Sequence, residues 1–116
     1  MAVKIGDLFH DGNQFFQVTN ATAKTVTVRP IESEKVRDGD VRTCYDFDVV
    51  VRPKRDHFTT SILLTDRQCE VGKRCKIHRY TKDPDGPAQI CVNEYWHHWA
   101  YQLVDGDEVT ETHDYL

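Results

Sequence analysis

Between Thr25 and Arg29 the chain reads Thr-Val-Thr-Val-Arg, a strict alternation of polar and apolar residues. A period of two puts Val26 and Val28 on one face of a strand and the threonines on the other. β-Branched side chains suit a pleated surface and lose χ1 freedom in a helix, so this segment commits its neighbours to a sheet. Pro30 has no N–H to give a ladder, and the strand is expected to end there or to run along an edge.

The segments around it follow the same grammar. Val3 to Phe9 and Gln14 to Thr19 flank Asp11-Gly12-Asn13, a turn signal because these residues tolerate positive φ. Residues 32–40 are charged, close on Asp38-Gly39, and read as a loop leading to a strand from Tyr45 to Arg52. Pro53-Lys54-Arg55-Asp56 is expected to break that strand. Further strands are expected over Phe58 to Leu64, Arg74 to Tyr80 and Gln89 to Tyr95, with a loop at Asp83-Pro84-Asp85-Gly86-Pro87 and a last hairpin around Asp105-Gly106. Glu94 to Leu103 lacks Gly and Pro and admits a short helix, but alternation favours a strand. Tyr95, His97, Trp99, Tyr101 and Leu103 would then share one face, with Trp96, His98 and Ala100 on the other.

The 116 residues provide for one core, so residues 1–116 read as a single all-β domain. The expected form is a small barrel, the SH3-like barrel among the options, or a strongly twisted antiparallel sheet with little or no helix. No apolar run approaches the length of a membrane span, and the opening Met1-Ala2-Val3-Lys4-Ile5-Gly6-Asp7 does not resemble a signal peptide. A cytoplasmic location without membrane contact is the expectation.

Charge is unevenly distributed about a net value of −4. From Arg67 to Lys82, six basic residues meet one acid, Glu70, whereas residues 83–116 hold eight acids and no Lys or Arg. The two stretches could pair across a sheet, or the acidic one could present a single-sign field to a basic partner. The basic window, with Arg74, Lys76, Arg79 and Tyr80, has the charge for phosphate, although the overall acidity opposes nucleic-acid binding.

Cys44, Cys69, Cys75 and Cys91 include no Cys-x-x-Cys pair, so reduced, mostly buried thiols are expected and no metal. A mixed site of Cys69, Cys75, His78 and His97 or His98 is the conceivable exception. No nucleophile motif, phosphate loop or dinucleotide fingerprint accompanies the six histidines, so the reading is non-enzymatic, without cofactor. Tyr95, Trp96, Trp99 and Tyr101 form the densest aromatic cluster. Trp96 and Trp99 sit three apart and would face opposite ways on a regular strand, one for the core and one for a contact.

Gly6-Asp7-Leu8-Phe9, Gln14-Phe15-Phe16-Gln17-Val18-Thr19 and Ala23-Lys24-Thr25-Val26-Thr27-Val28-Arg29-Pro30-Ile31 resemble the opening of a family of small β-proteins from bacteriophages and mobile elements. Trp99-Ala100-Tyr101, Asp105-Gly106 and the closing Glu111-Thr112-His113-Asp114-Tyr115-Leu116 are similar to the ending of that family. The resemblance leaves residues 32–88 uncovered, and the turn at Asp11-Gly12-Asn13 is shorter than the family's aromatic-rich insertion. It implies a phage accessory protein that inhibits a host defence effector, as anti-CRISPR proteins do, by blocking nucleic-acid access. On this reading a host protein, a CRISPR effector among the candidates, is the partner. Asp105, Asp107, Glu108 and Glu111 supply anionic contacts, and an exposed member of the Trp96 and Trp99 pair anchors them. A homodimer is compatible with it. Two alternatives stand beside it: a nucleotide-signal sponge with Arg74, Lys76 or Arg79 on phosphate, and a nucleic-acid-binding regulator using residues 67–82.

Overall fold

The computed structural model describes residues 2–41, 44–79, 82 and 85–114. Tyr80, Asp83, Pro84, Tyr115 and Leu116, which entered the sequence reading, lie outside them. Eight strands form one antiparallel sheet: β1 (Leu8–His10), β2 (Phe15–Ala21), β3 (Thr25–Val41), β4 (Asp46–Phe58), β5 (Lys73–Lys76), β6 (Gln89–Asn93), β7 (His98–Gln102) and β8 (Val109–Asp114). Their order is β6-β7-β1-β2-β3-β4-β8, with β5 also on β3, and the sheet is open where a closed barrel was one expectation. A short helix, α1 (Asp66–Val71), precedes β5.

β3 organises the molecule by changing partner along its length. Its first residues pair with β5, Thr25 opposite Lys76 and Val28 opposite Lys73. From Ile31 onward the same edge pairs with β4. Pro30 sits at this handover, so its missing N–H falls where one ladder has ended and the next has not begun. The expected strand end at Pro30 is therefore corrected. Residues 32–40 are also strand rather than loop, carried out from the body in a wing of β3, β4 and β8. Charge alternation misled the loop reading, because the wing matches its charges across strands: Glu34 accepts from Arg52 at 2.6 Å, and Glu108 accepts from Arg37 at 2.7 Å. β4 likewise runs through Pro53. β8 ends its ladder at Val109 opposite Val51, and beyond that point β4 is an edge, where proline is tolerated.

β1 and β2 are buried on both faces. Phe9, Phe16, Val18, Val26, Val28, Ile90, Val92 and Ala100 fill an inner core, with Leu64, Cys69 and Cys75 closing it. The adjacent residues Leu8, Phe15 and Ile31 point the other way and meet Val49 and Val51 of the wing in a second core. Each fully buried phenylalanine contributes about 2–3 kcal/mol of transfer free energy, and Phe15 and Phe16 divide this between the two cores.

Other expectations are revised. Phe58 to Leu64 is the end of β4 followed by a loop. α1 begins at Thr65, whose hydroxyl accepts from the Gln68 N–H while the Gln68 side chain accepts from the Thr65 N–H, a capping box. The Asp105-Gly106 turn joins β7 to β8, which do not pair with each other, so it is a crossover and no hairpin. Among the described residues, no helix is long and apolar enough to cross a membrane.

Candidate binding surfaces

The aromatic cluster is split by a tight turn. β6 ends at Asn93, residues 94–97 form the tip, and β7 resumes at His98. His97 takes φ +50°, a left-handed conformation that lets the four-residue turn close. Tyr95 and Trp96 therefore lie on neither strand face but stand out at the tip, 82% and 67% exposed, with their rings edge to face at 4.9 Å. Neither tryptophan is in the core. Trp99 is half-buried on the outer surface against His78, ring centroids 5.0 Å apart.

The tip is held from both sides. Asn93 accepts from the Trp96 N–H at 2.9 Å and donates to the Leu63 carbonyl at 2.7 Å. Glu94 accepts from Lys73 at 2.7 Å, and the same ammonium donates to the Val92 carbonyl at 2.8 Å. This hydrogen bond, with the Lys73 charge behind it, holds the Glu94 carboxyl below its ordinary value. On the other side His98 lies 2.8 Å from the Asp11 carboxylate, which also accepts the N–H groups of Asn13 and Gln14.

The expected acidic contacts are not assembled with this tip. Asp105, Asp107 and Glu108 are exposed in the crossover at the far end of β7, whose five residues span roughly 17 Å. Glu108 is engaged by Arg37, and Asp107 and Glu108 together favour the charged form of Arg52, whose first stabilising partner is Glu34. Glu111 must be withdrawn from the set: it is 2% exposed, on β8 opposite Val49. One carboxylate oxygen lies 2.6 Å from His10 Nε2 and the other 2.8 Å from His113 Nε2. The Gly12 N–H donates to His10 Nδ1 at 3.0 Å, which makes Nδ1 the acceptor and places the ring proton on Nε2, facing Glu111. With both ring nitrogens occupied, His10 clamps β1 to β8.

The basic window divides by strand alternation. Lys73 and Cys75 point inward and are buried, while Arg74 and Lys76 point outward and are exposed. Arg79 is half-buried, donates to the Gly86 carbonyl at 2.6 Å, and lines a cleft of about 220 Å³ with His78, Gln89 and Trp99. Of the anticipated cross-sheet pairing between basic and acidic stretches, Lys73 with Glu94 is realised; the acids of the crossover turn to the wing instead. Cys69 and Cys75 are core residues, and burial pushes the Cys75 thiol up to about 11. His78 lies outside on the strand face and His98 is tied to Asp11, so the mixed Cys/His set is not brought together, and no metal-holding group of three is found among the described residues.

A cleft of about 690 Å³ runs between the Asn13-Gln14 turn, the root of the wing and the loop 59–62. Its lining is mostly amide and hydroxyl, with Ile62 fully exposed on its rim. The sequence reading missed it because its residues come from four separate segments. Compared with family models, curated proteins and solved structures, the chain matches none.

Proposed function

We propose that this protein is a binding domain whose β6–β7 tip docks a protein partner. The observation that carries the reading is the pair Tyr95 and Trp96, two of the largest side chains in the molecule, set out in solvent on a turn pinned at both ends. Aromatic anchors dominate interface energetics, and a turn already fixed in shape loses little conformational entropy on docking. The partner is a folded protein that offers an apolar pocket within a basic surface, since a net charge of −4 and the exposed Asp105 and Asp107 steer the domain toward positive potential. The family resemblance of the chain's two ends makes a nucleic-acid-handling host effector the partner class to test first. The acidic crossover contributes to the approach, and the tip to the bound state.

A photo-crosslinking amino acid tests this directly. Benzoylphenylalanine at Tyr95 keeps an aromatic ring at the tip, and the same group at Ile5, 65% exposed on the turn before β1, serves as the control. A discrete, nuclease-resistant protein adduct from position 95 and none from position 5 is expected. Equal adducts from both positions, or none from position 95, would refute the tip as the docking element.

A further inference from the structure

The wing covers the outer face of β1 and β2 but leaves the outer face of β5, β6 and β7 open, and that face has its own chemistry. Two register rows cross it. His78 bridges Gln89, both backbone N–O distances being 2.8 Å, and Gln89 lies opposite Tyr101; in the next row Cys91 lies opposite Trp99. Trp99 and Tyr101 therefore stand on the same face of β7, about 7 Å apart along the strand. β5 runs into this face two residues before His78, and Arg74 and Lys76 project outward from it, on the side opposite the buried Lys73 and Cys75.

Beyond β5 the face continues onto β3, where Thr27 lies opposite Arg74 and Thr25 opposite Lys76. Thr22, Thr25, Thr27, Asn20 and Arg74 line a recess of about 250 Å³ there. It is below the size usual for a drug-sized ligand and contains no aromatic residue, so it suits a single oxyanion rather than a base. No Asp or Glu occurs in β5, β6, β7 or Thr25–Val28. Arg74 and Lys76 have no ion-pair partner among the described residues. In a chain of net negative charge, a face combining unpaired cations, hydroxyls and two stacking rings is a local reversal of the whole-molecule field.

We propose that this face binds single-stranded nucleic acid, with backbone phosphates along Arg74 and Lys76 and bases stacked on Tyr101 and Trp99. The arrangement supplies what sequence-tolerant recognition of a single strand needs: cations that track the backbone and ring faces at the spacing of separate bases. A duplex, whose bases are already stacked, has nothing to offer Tyr101.

The test is fluorescence anisotropy of labelled dT12 and rU12, each at two salt concentrations, against a duplex of equal length. Saturable binding of a single strand is expected, with a log–log salt slope of about −1.4 for two neutralised phosphates. The double variant Arg74→Gln/Lys76→Gln should bring that slope near zero. Tyr101→Ala should weaken binding about tenfold through the lost stack, and Tyr101→Phe should restore it. Trp96→Ala should leave it unchanged, so this result stands apart from that of the docking tip. All these side chains are exposed, and unchanged melting temperatures establish that each variant is folded. Absence of saturable binding to either single strand, equal affinity for the duplex, or indifference to Arg74→Gln/Lys76→Gln or Tyr101→Ala would overturn the proposal.

Discussion

At the scale of single residues, the same type of side chain plays opposite roles according to what lies across the sheet from it. Asp105, Asp107, Glu108 and Glu111 form one acidic run in the sequence, and nothing local distinguishes them. Glu111 differs because β8 brings it over His10, 101 positions earlier in the chain. Only long-range pairing could reveal that. Glu111→Ala would leave the buried His10 Nε2–H without an acceptor, at a cost of about 2–3 kcal/mol. Glu111→Gln keeps an acceptor and should cost less than half of that. Urea unfolding of both variants checks the assignment, and near-zero effects would return Glu111 to the surface set. Glu94 gives a pH signature. Its folded-state pKa lies below the ordinary 4.5, because Lys73 favours the carboxylate. The unfolded chain therefore binds a proton first as pH falls, and the stabilisation, full above about pH 4.5, is lost as pH drops through the depressed value. Glu94→Gln should be less stable than the wild type at pH 7, with the difference shrinking as pH falls below 4.5.

At the scale of elements, the strands with clean alternation were legible, and those whose reason for existing is a neighbour were not. Thr25 to Arg29 announces a strand by its own pattern, but its continuation to Val41 exists because β4 returns alongside and matches its charges. Alternation over Trp99, Ala100 and Tyr101 gave the correct faces of β7, while the tip at 94–97 was invisible without the Asn93 and Asp11 anchors. The helix had a readable signal that was missed: Thr65-Asp66-Arg67-Gln68 is a Thr-x-x-Gln capping box. Asp38-Gly39 resembles a turn, yet Gly39 serves close packing within the wing. A Cβ there would stand 2.7 Å from Asp48 Cβ and 3.0 Å from its carbonyl oxygen. Gly39→Ala should therefore separate β3 from β4 and destabilise the protein by about 1–3 kcal/mol. Faster amide exchange confined to the wing would identify the cause, and uniform protection equal to wild type would contradict it.

At the scale of the whole molecule, the bent β3 sets up everything else. One half completes the body around the inner core, and the other half carries the wing that buries the outer face of β1 and β2. What remains uncovered is the tip of β6–β7 and the face of β5 to β7, two surfaces of different chemistry on one scaffold. The all-β class and the existence of a dense aromatic cluster could be read from composition and periodicity. The separation of that cluster into an exposed pair at the tip and a pair on a strand face could not, because it depends on the turn geometry at His97. The central claim is that Tyr95 and Trp96 are there to be bound. Trp96 is largely exposed and its backbone hydrogen bond to Asn93 does not involve its ring, so Trp96→Ala should change stability by no more than about 0.5 kcal/mol. The most direct measurement is the affinity of the crosslinked partner, once purified, for wild type and Trp96→Ala. A loss of at least tenfold with an unchanged unfolding midpoint is the result this structure predicts, and equal affinities would contradict it.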